Sequence, residues 1–237
     1  TTSPIGWTQL GDDIDGEATS DESGYSTSIS SDGTIVAVGA SKNDGNGIDS
    51  GHVRIYQRDA SNTTTSPIGW TQLGDDIDGE AADDWVGASV SLSNDGTIVA
   101  IGAMYSSSSK GVVRVYQYAN NDWTQIGTDI DGEAANDNSG ISVALSGDGK
   151  TVVIGAKYND GSANNAGHAR VLKYPIYTQT VVTVTATEVG TSPALSVSDV
   201  FNVTIIPVND TPTVANAIID VTVDEDASPT TIALANV

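Results

Sequence analysis

The sequence predicts an all-β protein, and three observations support that fold class. Aromatic residues make up only 5% of the chain, yet Val, Ile, Ala and Thr are abundant, and this composition is typical of β-strands rather than of disordered chain. One sequence pattern occurs in three copies along the chain. Each repeat holds an Asp-Gly pair between two strand-like runs, which predicts a hairpin because glycine tolerates the positive φ of the turn.

The repeats follow one order of elements. Residues 7–18 return almost unchanged at 70–81 and more loosely at 123–134. Behind this opening come a Ser-rich run, the Asp-Gly turn, an apolar run ending in Gly-Ala, a run with a central Arg, and the Trp-Thr-Gln of the next copy. Four antiparallel strands in a period of about 50–60 residues describe one blade of a β-propeller. The sequence therefore predicts three four-stranded blades.

The strands of a repeat differ in their expected exposure. The apolar run, such as residues 34–40, predicts an inner strand covered on both faces, whereas the Arg run alternates and is expected to be half exposed. The repeats differ in length at residues 58–65, a polar insert that we expect in an exposed loop.

One segment carries a family resemblance. Residues 87–103, Gly-Ala-Ser-Val-Ser-Leu-Ser-Asn-Asp-Gly-Thr-Ile-Val-Ala-Ile-Gly-Ala, resemble the FG-GAP-like repeats of bacterial surface proteins, which are relatives of the integrin α-subunit propeller. The resemblance covers residues 1–174 and implies propeller-type blades. The calcium loop of the integrin type is reduced here to Ser-x-Asp-Gly, so calcium is not carried over to that loop.

The composition changes after residue 174, because residues 175–237 contain no Lys or Arg. Residues 181–187 and 201–206 alternate apolar with polar residues, as half-buried strands do. The run from 184 to 212 resembles the end of a cadherin-like, dystroglycan-type domain, and residues 220–229 resemble the opening of the next one. We assign 175–212 and 213–237 to these two incomplete cadherin or immunoglobulin-like parts.

Charge and composition exclude several functions. The formal net charge is −22, and so acidic a chain repels nucleic acids and anionic lipids. Without cysteine, the chain has no disulfide scaffold, thiolate nucleophile or thiolate zinc site. The apolar runs are too short to span a bilayer, so no membrane insertion is expected.

The opening segment of each repeat is an acidic loop. Several carboxylates on one turn around a glycine suit Ca²⁺, and the competing interpretation is a solvated acidic rim. The candidate ligands are Asp13, Asp15, Glu17, Asp21, Asp76, Asp78, Glu80, Asp84, Asp129, Asp131, Glu133 and Asp137. In cadherins a similar Asn-Asp linker joins carboxylates of adjacent domains around calcium. The resemblance therefore implies a further site at Asn209, Asp210, Asp224, Glu225 and Asp226.

Histidine and arginine recur at fixed positions in the third strand. His52 and His168 occupy the position that Val112 takes in the middle repeat, so we interpret both as strand surface residues rather than general bases. The recurring arginines are expected to pair with the surrounding carboxylates, the alternative being an anion or carbohydrate contact. They are Arg54, Arg114 and Arg170.

Tryptophan also recurs, at Trp7, Trp70 and Trp123, where we expect packing between blades, with sugar stacking as the alternative. Trp85 has no counterpart in the other repeats. It is one candidate for a ligand contact, and the insert at residues 58–65 is the other.

The sequence predicts a non-enzymatic, secreted or cell-surface bacterial protein that acts in adhesion, matrix or filament structure. Every prominent acid is copied in each repeat, whereas an active site occurs once. One alternative is an adhesin whose propeller face binds a glycan or protein, and a propeller hydrolase is the less favoured one.

The blade count predicts an incomplete assembly. A closed propeller has at least four blades, so we expect a part of a longer protein or a chain that its neighbours complete. Unpaired strand edges then predict a homo-oligomer or filament, with residues 214–223 or 230–237 pairing with another chain.

Overall fold

The structure is a computed structural model that describes residues 6–174 in full, and residues 183–187 and 196–200 by their backbone. The chain divides into two compact units, Thr1–Pro175 and Ile176–Val237. The described residues form antiparallel sheets, so the all-β prediction is confirmed. No helix among them is both long and apolar enough to cross a bilayer.

The first unit contains three sheets, one for each sequence repeat. The first holds β1 (Ser23–Ile29), β2 (Ile35–Ala40), β3 (His52–Arg58), β4 (Trp70–Gln72) and β5 (Ile77–Asp78); the second holds β6 (Val86–Leu92), β7 (Ile98–Ala103), β8 (Val112–Ala119), β9 (Asp122–Gln125) and β10 (Ile130–Asp131); the third holds β11 (Ser139–Leu145), β12 (Thr151–Ala156) and β13 (His168–Lys173). A short helical turn, Ser106–Ser109, precedes β8.

Strands follow one another across each sheet in the order that the repeat predicts. β1 pairs with β2, β2 with β3, and the Trp-Thr-Gln strand β4 closes the sheet on β3. The outermost strand is split, since β5 also pairs with β3 at His52 and Val53. The third sheet has three strands within the described residues, and its predicted fourth strand falls beyond residue 174.

The Asp-Gly turns form the predicted hairpins through a network of hydrogen bonds. Ser93 Oγ donates to Asp95 Oδ1 at 2.6 Å, the Thr97 amide donates to the same oxygen at 3.1 Å, and the Ile98 amide donates to Ser93 Oγ at 3.0 Å. The Ser93 and Thr97 hydrogen bonds hold the pKa of Asp95 below its ordinary value. The Ser-x-Asp-Gly motif is therefore a folding element in this chain.

Apolar side chains of neighbouring sheets meet in two cores. Val53 and Ile55 of β3 pack with Val99 and Ile101 of β7 between the first and second sheets. A smaller core joins Val113 of β8 to the third sheet. β2 is buried from Ala37 to Ala40 and β7 from Val99 to Ala103, as predicted for the inner strand.

The prediction of a half-exposed Arg strand is wrong for two sheets. β3 is buried from His52 to Tyr56 and β8 from Val112 to Arg114, because the following sheet covers that face. Only β13 shows alternating exposure. The polar insert at 58–65 is largely exposed, as predicted.

In the second unit, β14 (Thr183–Thr187) pairs with β15 (Ser196–Val200) in an antiparallel ladder. β14 lies inside the strand predicted for 181–187. The strand predicted for 201–206, the cadherin-like assignments beyond it and the edge strands at 214–223 and 230–237 lie outside the described residues.

Candidate functional site

Serine hydroxyls join each sheet to the next. Ser26 Oγ donates to the carbonyl oxygen of Gly87 at 2.7 Å, and Ser89 Oγ donates to that of Gly140 at the same distance. In the opposite direction, the amides of Leu92 and Leu145 donate at 2.9 Å to the hydroxyls of the preceding sheet, Ser28 and Ser91. The Ser-rich strands thus form two equivalent seams.

Glycine permits the close approach of these seams. A Cβ on Gly39 or Gly102 would lie less than 3.0 Å from the carbonyl oxygen of Gly87 or Gly140, respectively. The Gly-Ala ending of the apolar strand therefore has a packing role, since a side chain at that glycine would separate the sheets.

Within residues 6–174, the same surfaces at the two outer sheets have no such partner. Gly24 corresponds to Gly87 and Gly140, but no atom of the described residues lies within 4 Å of its Cβ position. Ile29 is 60% exposed, whereas Leu92, at the same place in the second repeat, is 7% exposed. Val171 of the third sheet is 68% exposed, whereas its counterpart Ile55 is 1% exposed.

The acidic loops distribute their carboxylates among different partners. The last acid of each loop is buried and accepts a hydrogen bond from a backbone amide of its own loop, as Asp84 does from Ala81 at 3.1 Å. The other two behave in the same way and also bind an Asn side chain: Asp21 accepts from Ala18 and Asn43, and Asp137 from Ala134 and Asn159. These carboxylates shape the loop that carries them.

Arginine of the third strand binds the loops of two repeats. Arg114 is buried and donates to both oxygens of Asp129 (2.8–3.1 Å) and to Glu80 Oε2 at 2.7 Å. The Arg114 hydrogen bond holds the pKa of Asp129 below its ordinary value. Pairing of this arginine with carboxylates was predicted and is confirmed.

The arginines of the other two sheets turn to backbone oxygens. Arg54 Nη2 donates to the carbonyl oxygen of Asp15 at 2.6 Å, and its Nη1 lies 3.5 Å from Glu17 Oε1. Arg170 donates to the carbonyl oxygen of Asp131. The carboxylates of Asp15 and Asp131 are thus left out of these contacts, and that of Asp13 accepts from Gln9.

His52 is the main departure from the sequence interpretation. It is not a surface residue, because its exposure is only 1%. Its Nδ1 lies 3.5 Å from Asp76 Oδ2 and 4.0 Å from Asp78 Oδ1. Burial lowers the pKa of His52, against the opposing influence of Asp76. Burial also raises the pKa of Asp78, and the charge of Asp76 adds to this rise.

His168 is more accessible than His52. Its Nδ1 lies 3.8 Å from Glu133 Oε2, and a quarter of the side chain is exposed. Sequence reasoning missed the difference between the two histidines. The available signal was Val112, since a strand position that accepts either His or Val is a buried one.

The insert of the first repeat borders a cleft of about 680 Å³. Arg54, Tyr56 and Trp70 form its inner side, and the insert with Asp59 forms its rim. The insert is fastened by Asn62, whose amide donates to the carbonyl oxygens of residues 65, 67 and 70. The sequence had singled out this insert.

Among the repeated tryptophans, Trp123 packs in the core between the first and second sheets, as predicted, whereas Trp70 packs against the loop at Leu10 and Gly11. Trp70 and Trp123 are buried and donate through Nε1 to the carbonyl oxygens of Leu10 and Leu73, at 2.9 and 2.7 Å. Trp7 is 78% exposed.

Trp85 occupies a left-handed backbone position (φ 57°), which is unusual for a bulky residue. Its ring packs edge-on against Tyr105, with centroids 4.7 Å apart, and Lys42 Nζ lies 4.9 Å from the ring centroid. Trp85 therefore already has packing partners from two repeats.

The five predicted ligands of the cadherin-like part lie outside the described residues. They are Asn209, Asp210, Asp224, Glu225 and Asp226.

Comparison with known proteins bears on the third repeat. Residues 128–172 match the FG-GAP repeat family. This segment contains β10, β11 and β12 and all but the last residue of β13. No curated protein matches the chain significantly.

Two solved structures are similar to part of the chain. Hydrazine synthase from Kuenenia stuttgartiensis is 14% identical, with a TM-score of 0.38 over 68% of this chain and 42% of its own. TolB from Acinetobacter baumannii is 19% identical, with a TM-score of 0.31 over 62% of this chain and 32% of its own. The chain therefore spans less than half the length of either protein.

Proposed function

We propose that this chain is a non-enzymatic structural part of a bacterial extracellular or cell-surface protein, in which FG-GAP-type sheets assemble side by side as blades of a β-propeller. One observation carries the proposal: residues that a neighbouring sheet buries inside the chain have exposed counterparts on the two outer sheets. Ile29 and Val171 are those counterparts.

The occupant of these faces is a further sheet of the same kind, supplied by a second copy of this chain. The third sheet retains Ser142 and Gly155, which correspond to the serine and glycine of the two filled seams. The first sheet retains Gly24 and an apolar residue, Ile29, in place of the buried Leu92 and the half-buried Leu145. Burying an Ile or Val side chain contributes about 1.5–3 kcal/mol, which favours association of the two faces.

The test is the oligomeric state of the intact chain. Light scattering at micromolar concentration should give a mass that rises with concentration for the wild type, and Val171→Asn should lower it because a polar amide would be buried in the seam. Thr64→Asn, in the exposed insert, is the matched control and should leave the mass unchanged. A wild type that stays a folded monomer overturns the proposal.

A second candidate function is adhesion through the cleft of the first repeat, and the cleft itself is the observation that favours it. The cleft lies beside the insert, and the second repeat has a short link between β8 and β9 at the same place. Arg54, Asp59 and Trp70 supply a cation, an acceptor and an aromatic ring, a combination that suits a glycan or a polar peptide.

The adhesin function is tested on glycan and protein arrays. The matched control variant replaces residues 59–69 with Asn120-Asn121, the link of the second repeat. Binding by the wild type and its loss in the variant would support this function, whereas equal signals from both proteins would contradict it.

The proposal also includes Ca²⁺ binding by the acidic loops and an extracellular location of the protein. Ca²⁺ at the acidic loops would relieve the repulsion among clustered carboxylates, and the pKa of Asp78, which Asp76 helps to raise, is a sign of that repulsion. High acidity, absence of cysteine and tandem β-repeats support an extracellular location.

A further inference from the structure

The first acidic loop, the second acidic loop and β3 bring three metal-binding side chains together. Glu17, His52 and Asp76 each offer a ligand atom, and these atoms all lie within 4.8 Å of one another. The group is not a purely acidic cluster, because its centre is an imidazole. It also joins two repeats, since Glu17 and Asp76 belong to different loops.

The imidazole is a buried polar group that points into this cluster. His52 is 1% exposed, and within residues 6–174 neither ring nitrogen takes part in a hydrogen bond; the closest carboxylate oxygen is Asp76 Oδ2, 3.5 Å from Nδ1. A buried imidazole without a hydrogen bond is in an unfavourable environment. A cation between the ring and the carboxylates would satisfy all of them.

In the second repeat, an arginine already neutralises the carboxylates at the corresponding position. Val112 replaces the histidine there, and Arg114 binds Glu80 and Asp129, the counterparts of Glu17 and Asp76. In the first repeat, Arg54 donates to the carbonyl oxygen of Asp15, and its Nη1 lies 3.5 Å from Glu17 Oε1. Within residues 6–174 no arginine pairs with Asp76, whose Oδ1 accepts from Gln72 at 2.6 Å. One arginine thus faces the carboxylates of Glu17, Asp76 and Asp78, and the first cluster retains an excess of negative charge.

We propose that Glu17, His52 and Asp76 bind a divalent transition metal ion, with Zn²⁺ as the representative. One nitrogen and two carboxylate oxygens suit Zn²⁺, Co²⁺ or Ni²⁺, whereas Ca²⁺ favours sites made entirely of oxygen. Asp78, 4.0 Å from the ring nitrogen, is placed to complete the coordination. The ion fastens the loop at residues 6–22, which has no strand, to the loop of the next repeat.

The experiment is isothermal titration of the metal-free chain with Zn²⁺ in the presence of millimolar Ca²⁺. The wild type should bind one Zn²⁺, and His52→Val, which copies Val112 of the second repeat, should weaken this binding at least tenfold. His168→Val is the matched control, because within residues 6–174 Glu133 supplies the one carboxylate that pairs with that ring; its binding should equal that of the wild type.

Two further measurements keep the result decisive if His52→Val does not fold. Asp76→Asn changes a partly exposed carboxylate and should also weaken Zn²⁺ binding at least tenfold. Co²⁺ added to the wild type should give visible absorption bands that Zn²⁺ abolishes and Ca²⁺ does not. Wild-type binding no tighter than that of Asp76→Asn, or Co²⁺ bands that Ca²⁺ removes, would overturn the site. Neither outcome depends on the oligomeric state, so the proposed assembly and the proposed metal site can be refuted independently.

Discussion

Replacing Gly102 with Ala should destabilise the chain through the seam between the second and third sheets. The added Cβ would lie under 3.0 Å from the carbonyl oxygen of Gly140, which is backbone and cannot rotate away. It would also press on Ser89 Oγ, which donates to that carbonyl at 2.7 Å. The two strands would have to separate by roughly 1 Å, a shift of the kind that overpacking imposes.

The magnitude follows from these two effects. Overpacking costs about 1–3 kcal/mol, and loss of the serine hydrogen bond costs about 1 kcal/mol. The sum of roughly 2–4 kcal/mol corresponds to a Tm lower by about 5–15 °C for a domain of this size. Thermal melting followed by circular dichroism measures this shift, with urea unfolding as a second measure of the free energy.

Gly155→Ala is the internal control for this prediction in melts of the dilute, monomeric chain, in which no second copy covers the third sheet. Gly155 occupies the same place in the third sheet, but the three atoms of the described residues nearest to its Cβ position all belong to Ser142, whose hydroxyl can rotate. Its Tm should stay within about 3 °C of the wild type, since a tolerated Gly→Ala change alters stability by less than about 1 kcal/mol. Equal melting temperatures of Gly102→Ala and Gly155→Ala would refute the packing role assigned to the seam glycine.

Three further predictions concern the turns, the tryptophans and calcium. The folded chain lowers the pKa of Asp95, so the ionised carboxylate stabilises the fold above its unfolded pKa near 4, and this stabilisation is lost as the pH falls through the folded pKa. The Tm of Asp95→Asn should therefore fall less between pH 5 and 2 than that of the wild type. Parallel plots of Tm against pH for the two proteins would contradict this. Trp70→Phe removes the 2.9 Å hydrogen bond to the chain at residue 10 and should cost about 1 kcal/mol in urea unfolding, whereas Trp7→Phe should cost nothing measurable. Ca²⁺ at a hundredfold excess over a Kd of about 10⁻⁴–10⁻³ M should add about 2.7 kcal/mol per site to the free energy of unfolding and raise the Tm more than NaCl of equal ionic strength. The double change Asp78→Asn with Glu80→Gln should reduce this difference in Tm. Equal effects of the two salts would show that the loops form only an acidic rim.

Local rules made much of the fold predictable. An Asp-Gly pair between strand-like runs determines a hairpin within a few residues, and the repeat shows which Trp-Thr-Gln segment closes which sheet. The sequence could not reveal how the sheets cover one another. The Arg strand alternates in sequence, but the next sheet buries its second face in β3 and β8.

The site was less predictable because its members are far apart in the chain. The acids of one loop were expected to act together, yet Asp21 serves its own loop while Glu17 faces Asp76 of the next repeat. Identical loops also diverge through one neighbouring residue: His52 or Val112 decides whether the position beside the carboxylates is polar or apolar. Only the folded arrangement shows this dependence.

The pairing of each sheet with its successor also has a consequence for how such a chain lengthens. Every repeat carries both halves of a seam. Its serines and the glycine of its Gly-Ala ending face the following sheet, and a second glycine with an apolar residue faces the preceding sheet. Tandem duplication of one whole repeat in the gene therefore creates a matched junction at once, without any compensating mutation. Later substitutions make individual junctions differ from one another. Ala144 occupies the position at which Ser28 and Ser91 accept a hydrogen bond from a backbone amide of the next sheet. A sheet that packs on the third sheet must therefore satisfy the corresponding amide of its own backbone in another way.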